Sequence, residues 1–145
     1  MRAYRDADYR WEREGHWLPL VIGAPATDLE SAFPGAGSFG LLSAWNPYSI
    51  ERTEQDNRRE DDALHAALRE SGLPYRPGFS SARNRSWREP SWVVVDMPVA
   101  GFDALARRFG QLGTLYAHRG EPVRLRLYRS RPASAPDDGF VDWVE

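Results

Sequence analysis

Apolar residues recur along this chain in short blocks separated by polar, turn-forming segments, and the spacing within the blocks predicts alternating strands and helices. Residues 91–97 are apolar without interruption in their middle, as expected of a central strand covered on both faces. Residues 123–128 alternate apolar and polar side chains, which predicts a half-buried hairpin arm. The predicted strands are residues 4–11, 17–22, 38–45, 91–97, 112–118 and 123–129.

Three helices are predicted between these strands. The longest follows residues 53–56, which have the spacing of a capping box, and it runs to Ser71 with a glycine as its C-terminal stop. Its apolar stripe contains Leu64 and Leu68, and the 3.6-residue period places Asn57 on the same face. The two other helices are predicted over residues 27–33, capped by Thr27 or Asp28, and over residues 101–109, stopped by Gly110.

The order of these elements contains two βαβ-like passages and predicts an α+β fold, a two-layer sandwich with helices packed on a mixed β-sheet. A ferredoxin-like core with extra strands satisfies that order. Residues 74–88 are rich in proline, glycine, serine and arginine and are expected to form an extended loop, with a short strand near Tyr75 as an alternative. We expect one domain over residues 1–131 and a C-terminal tail at 132–145 that either docks or stays mobile.

Composition excludes several classes of chemistry. The chain has no cysteine and no lysine, so disulfides, thiolate catalysis, cysteine-ligated zinc and lysine Schiff bases are excluded. The three histidines show no metal-ligand spacing, and neither a metal nor a cofactor is predicted. The charged N-terminus and the lack of a ~20-residue apolar run predict a cytoplasmic protein without a membrane partner.

Charge is distributed unevenly, and this leaves two alternatives open. The net charge is −2, yet residues 76–131 contain 11 arginines and 4 acidic residues. A cationic face on the arm at 123–128 would suit nucleic acid or another polyanion, with Tyr128 or Trp87 stacking on bases. Arginines also protect ordinary strand edges from aggregation, so an interaction or oligomerisation domain that uses this hairpin edge or the Trp143 tail is the other alternative.

The strongest candidate for a site is the segment S-A-W-N-P-Y-S at residues 43–49, where an apolar strand ends in a polar, turn-forming cluster. Asn46 ends this strand and Asn57 begins the next helix, so a short connection brings two amides to one edge of the sheet. With the hydroxyls of Ser43 and Ser49, they suit a carboxylate, a phosphate or a nucleobase edge. The alternative is that both asparagines only bond the local backbone.

A second group of candidates surrounds W-R-E-P-S-W at residues 87–92. Burial of Glu89 would raise its pKa and suit it to general-base chemistry, while a buried pair with Arg88 that pins the loop is the alternative. The donor-rich residues 83–86 are expected either to close over an anion or to remain a solvated loop. Gln111 either presents its amide to the site or caps helix carbonyls.

Four elements together resemble the bacterial family called domain of unknown function 3293: S-A-W-N-P-Y-S, the helix-opening Asn57, W-R-E-P-S-W-V-V-V and F-G-Q-L-G-T-L-Y. The resemblance extends over about residues 4–128. The family pattern has threonine where this chain has Ser43, which keeps the hydroxyl, and often alanine at Gly113. The resemblance marks these positions without assigning them a reaction.

We therefore expect a pocket at the sheet edge that binds a small polar or anionic ligand. The sequence does not decide whether the site is catalytic, and it assigns no oligomeric state. The predicted ligand-binding residues are Ser43, Asn46, Ser49, Asn57, Arg88, Glu89, Ser91 and Gln111.

Overall fold

Eight strands form a single mixed sheet in the computed structural model of the protein, which describes residues 1–82 and 88–145. They are β1 (Asp8–Arg13), β2 (His16–Pro19), β3 (Ser38–Leu42), β4 (Tyr75–Ser81), β5 (Arg88–Val95), β6 (Gly113–His118), β7 (Arg124–Leu127) and β8 (Val141–Trp143). Their order across the sheet is β2-β1-β4-β5-β3-β6-β7-β8. Neighbouring strands are antiparallel except β7 and β8, which are parallel.

The α-helices of the described chain are α1 (Arg2–Asp6), α2 (Thr27–Ala32), α3 (Glu54–Ser71) and α4 (Val99–Arg108), and Pro47–Ser49 forms a short 3-10 helix. The capped start and glycine stop predicted for α3 are confirmed: Thr53 Oγ1 accepts the N–H of Asp56 at 3.1 Å, and Gly72 follows with a φ of 74°. The short helix α2 is also confirmed, but Thr27 is already its first residue and no side chain caps its start. None of the helices in the described ranges has the length and apolar composition that crossing a bilayer requires.

The central elements β3-α3-β4-β5-α4-β6 form a ferredoxin-like core. In the sheet their strands stand in the order β4-β5-β3-β6, so one other strand lies between the two strands of each strand–helix–strand unit. Leu64 and Leu68 of α3 share a buried cluster with Phe102 and Ala106 of α4 and with Val94 of β5, so both helices cover one face. The predicted α+β class, with helices packed on a mixed sheet, is confirmed.

The opposite face of the sheet holds a second apolar cluster. Trp11 of β1, Leu29 of α2 and Leu115 of β6 belong to it, together with Val93 of β5. Because Val94 belongs to the first cluster and Val93 to the second, β5 is covered on both faces, as its uninterrupted apolar run predicted.

Two segments differ from the sequence prediction. Residues 2–6 form α1 rather than the start of a strand. The sequence pattern did not predict this helix because five residues are too few to show an apolar repeat. Residues 75–81 form β4, so the short strand near Tyr75 that was the alternative to a loop is present and extends to Ser81. A Cβ at Gly78 would stand 2.9 Å from Arg10 O and 3.0 Å from Ser91 Oγ, so strand packing, not a turn, requires this glycine. Pro77 lies just beyond the last residue paired with β1.

The arginines of β7 do not form the cationic face that the sequence predicted. Arg124 donates two hydrogen bonds of 2.8 Å to Asp142, and Arg126 donates bonds of 3.0 and 2.6 Å to Asp103. Tyr128 is buried and donates to Asp103 at 2.7 Å. Acidic side chains therefore neutralise both arginines. The interaction alternative expected the edge of this hairpin to be exposed, and this is also wrong, because β8 pairs with β7.

Candidate functional site

A cavity of about 820 Å³ lies at one edge of the sheet. The ends of β3 and β4 and the starts of β5 and β6 border it, because these antiparallel strands bring those termini to the same edge. Helix α1, the segment 43–53 that links β3 to α3, and the first turn of α3 line the remaining wall. A cavity of this size accommodates a small molecule.

All eight residues selected from the sequence line this cavity. They come from the end of β3, the segment before α3, the first turn of α3, the start of β5 and the residue before the turn into β6. They are Ser43, Asn46, Ser49, Asn57, Arg88, Glu89, Ser91 and Gln111. The structure thus brings together groups that lie up to 68 positions apart, from 43 to 111, and their hydrogen bonds separate them into two sets.

The two asparagines hold one another and the loop between them. Asn57 Oδ1 accepts the backbone N–H of Asn46 at 2.9 Å, and Asn57 Nδ2 donates to Asn46 Oδ1 at 2.8 Å. Asn46 Oδ1 also accepts the backbone N–H of Arg52 at 3.1 Å. Asn57 is only 2% exposed, so its amide serves the fold. The local-backbone alternative therefore accounts for Asn57 and for the oxygen of Asn46.

Ser43 and Gln111 support the same loop. Ser43 Oγ donates to Pro90 O at 2.8 Å and accepts the N–H of Trp45 at 2.9 Å. Gln111 Nε2 donates to Trp45 O at 3.2 Å and to Phe109 O at 3.3 Å. The capping role of Gln111 is thus present at the end of α4, and one of its bonds also fixes the cavity wall.

The loop backbone is held in an unfavourable conformation. Asn46, Tyr48 and Ser49 have φ values of 45°, 58° and 58°, in the left-handed region that side-chain-bearing residues rarely adopt. Tyr48 N–H donates to Gly110 O at 2.6 Å, and a Cβ at Gly110 would stand 2.8 Å from the Cβ of Pro47. Such strain persists only where the surroundings enforce it, and it concentrates at functional sites.

Glu89 contributes a carboxyl group from the start of β5. Its Oε2 accepts from Asn46 Nδ2 at 3.3 Å, and among the described residues no arginine or histidine forms an ion pair with it. Burial raises the pKa of Glu89 from 4.5 to about 7, and the hydrogen bond from Asn46 opposes only part of this rise.

Ser91 contributes a hydroxyl two residues further along the same strand, so it projects from the same face as Glu89. The residue is 5% exposed, and Ser91 Oγ has no hydrogen-bond partner in the described structure. Arg52 Nε is likewise buried without a partner there, although another nitrogen of this guanidinium, Nη2, donates to Asp56 O at 3.1 Å. Buried polar atoms without partners are rare, and each calls for an explanation.

Arg88 is exposed, and its guanidinium lies 4.4 Å from the centroid of the Phe79 ring. The structural Arg88–Glu89 pair considered from the sequence is not among the ion pairs of the described residues. The predicted lid at residues 83–86 and the stacking residue Trp87 lie outside the described residues.

Sequence reasoning missed several residues of the cavity wall, among them Tyr4, Tyr9 and Arg52. Tyr4 OH and Ser49 Oγ are hydrogen-bonded at 2.6 Å, and Tyr9 OH donates to Tyr4 O. Burial raises the pKa of Tyr4, and the nearby Glu89 carboxylate adds to that rise. The tyrosines were assigned to a strand, so nothing directed them to the site. Arg52 lies in the sequence between residues 43–49 and Asn57, and this position could have identified it as a candidate for the site.

This arrangement offers both proton exchange and hydrogen bonding. A carboxyl that titrates near neutral pH both accepts and donates protons under ordinary conditions, and Ser91 adds a donor and an acceptor. Within residues 1–82 and 88–145 no group of three or more histidine, aspartate or glutamate side chains is placed to hold a metal ion.

Comparison with known proteins bears on the same segment. No curated protein and no solved structure matches the chain significantly. A family model does match residues 42–113, a shorter stretch than the resemblance noted in the sequence, and this stretch contains all eight of the cavity residues selected there. Over residues 42–113 the chain belongs to the family described as "Protein of unknown function (DUF3293)".

Proposed function

We propose that the cavity binds a small polar molecule through the carboxyl group of Glu89 and the hydroxyl group of Ser91. The observation that carries this proposal is the buried hydroxyl of Ser91, which has no hydrogen-bond partner within the described structure. Ser91 as a residue is 5% exposed and lines a cavity of about 820 Å³. A buried hydroxyl without a partner destabilises a folded protein by roughly 1–3 kcal/mol. A ligand that hydrogen-bonds to Ser91 Oγ removes this cost on binding.

The polar residues of the cavity have two roles: some support the cavity wall, and others have groups available to a ligand. Ser43, Asn57 and Gln111 use their side chains to hold backbone groups and Asn46 in place. Glu89 keeps one carboxylate oxygen without a hydrogen bond from the described residues. Ligand sites require a few unpaired polar groups on a rigid support, because a flexible site must be ordered on binding and the entropy lost in that ordering weakens the affinity.

The anion expected from the sequence rested on Arg88 and on residues 83–86. Arg88 lies over Phe79, and the segment 83–86 is outside the described residues. The described residues therefore give no support for an anionic ligand, and a comparison of cationic, neutral and anionic compounds tests the charge of the ligand.

A thermal-shift screen with nucleotides and metabolites tests the proposed function. At least one compound is expected to raise the melting temperature of the wild-type protein. Its effect should fall in Ser91→Ala and in Glu89→Gln, and should persist in Glu51→Gln, which alters an exposed carboxyl at the same cavity. The proposal is wrong if no compound stabilises the wild type, or if every hit stabilises Ser91→Ala and Glu89→Gln as much as it stabilises the wild type.

A further inference from the structure

We propose that the ligand of this cavity carries a basic, protonated nitrogen, as in an amine or an amidine, which pairs with the carboxylate of Glu89. This inference rests on the proposed function and narrows it to one chemical class. Three observations support it: another buried carboxylate of this chain is paired with a cation, aromatic side chains lie near Glu89, and the nearby arginines contact groups other than Glu89.

Asp103 shows how this chain balances a buried carboxylate. It is 7% exposed, and it accepts two hydrogen bonds from Arg126 and a third from Tyr128. Buried charges are ordinarily paired in this way because an unpaired charge is costly to desolvate. Glu89 is partly buried as well, but its partner in the described residues is the neutral amide of Asn46. The missing positive charge is supplied in our proposal by the ligand.

The surroundings of Glu89 suit a cation. Tyr4 of α1 and Tyr9 of β1 lie near enough for the Glu89 charge to affect both phenols, and burial raises the pKa of each. Both phenols therefore stay neutral across the physiological pH range, and aromatic rings attract cations through their faces. Trp45 adds a third aromatic side chain to the wall.

The arginines of the wall do not neutralise Glu89. The cavity is lined by the arginines Arg52 and Arg88. Of its other carboxyl residues, Glu51 is exposed, and Glu54 pairs with Arg58 at 2.9 Å. Arg52 donates to the carbonyl of Asp56 in the first turn of α3, and Arg88 is exposed over the Phe79 ring. Neither arginine pairs with Glu89 in the described structure. A cationic ligand thus meets one carboxylate without a counter-ion among the described residues.

A shape-matched set of probes tests the sign of the ligand's charge. Benzamidine, benzamide and benzoate share one ring and differ in being cationic, neutral and anionic. Each is titrated into the ¹⁵N-labelled protein, and binding is followed by the amide signals of residues that line the cavity. Wild type, Glu89→Gln and the control Glu51→Gln are compared at about pH 8 and about pH 5.5, where Glu89 is mostly ionised and mostly protonated, respectively.

We expect benzamidine to bind the wild type at about pH 8 and to bind roughly 30-fold more weakly at about pH 5.5, because that is the change in the ionised fraction of a group with a pKa of about 7. Glu89→Gln should weaken binding roughly tenfold or more at the higher pH and remove most of the pH dependence. Glu51→Gln should behave as the wild type. Unchanged spectra outside the cavity verify that the variants are folded.

Two results overturn the inference. If benzoate binds in the cavity and binds more tightly as the pH falls, the ligand is an anion taken up with a proton, and the proposed function stands without this inference. If benzamidine leaves the cavity signals unchanged, or binds Glu89→Gln as well as wild type, the pairing with Glu89 is wrong. Failure of the metabolite screen as well would remove the proposed function itself.

Discussion

Replacing Glu89 with glutamine should stabilise the ligand-free protein, and the gain should depend on pH. The introduced glutamine side chain keeps an oxygen that accepts from Asn46 Nδ2, but it does not ionise. In the wild type, burial raises the pKa of Glu89 from 4.5 to about 7. Because the folded pKa is the higher one, the folded state binds more protons than the unfolded state between these two values, and stability falls as the pH rises through this window.

The magnitude follows from the difference between 4.5 and about 7. At ~1.4 kcal/mol per pKa unit, this difference corresponds to ~3 kcal/mol. Partial exposure to solvent reduces it, so we expect ~2 kcal/mol. For a domain of this size, that free energy corresponds to a rise in melting temperature of roughly 6 °C. Little difference between the proteins is expected below the unfolded pKa of 4.5, and the full difference is expected above about pH 8.

Urea unfolding followed by tryptophan fluorescence, at steps from about pH 4.5 to about pH 8.5, measures this difference directly. Subtracting the wild-type free energy from that of Glu89→Gln cancels the titration of all other groups. Glu51→Gln is the matched control and should show no such trend. Parallel pH profiles for wild type and Glu89→Gln, or a variant that is less stable at high pH, would refute the argument that Glu89 is ionised at a cost.

Three further predictions concern the division of roles in the site. Ser91→Ala should leave the free energy of unfolding unchanged or raise it by about 1 kcal/mol, whereas Ser43→Ala should lower it by roughly 1–3 kcal/mol. The reason is that Ser43 loses two hydrogen bonds, while Ser91 Oγ has no partner to lose in the described structure. Equal losses in urea unfolding would contradict this. Asn57→Ala should cost roughly 2–3 kcal/mol in the same assay, since it leaves Asn46 groups unpaired, and a loss below about 0.5 kcal/mol would show that the asparagine pair does not support the loop. Gly110→Ala should lower the melting temperature by an amount equivalent to about 2 kcal/mol or more, because φ is 66° and the new Cβ meets the loop, and an unchanged melting temperature would contradict the strain.

The elements that the sequence predicted well carry their own signals. Helix α3 has its cap at Thr53, its stripe at Leu64 and Leu68, and its stop at Gly72, so each boundary is marked locally. Strand β5 was predicted because its apolar run matches burial on both faces. The short elements α1 and β8, of five and three residues, carry no periodic signal, and tertiary packing decides them.

The site shows the same limit at the level of single side chains. Turn chemistry and strand ends were enough to select residues that line one cavity. They did not reveal that Asn57 bonds Asn46 and that the Ser91 hydroxyl bonds none of the described residues, because these facts depend on distances across the folded chain. In the same way, the alternation on β7 predicted exposed arginines, while Asp103, 23 positions from Arg126, pairs with it.

A crystal structure of the protein with the strongest compound from the thermal-shift screen tests the central claim most directly. We predict that the compound occupies the cavity between α1 and the ends of β3 to β6, with polar atoms within hydrogen-bonding distance of both Glu89 and Ser91. A compound bound elsewhere on the surface, or bound in the cavity without contact to either residue, would contradict it.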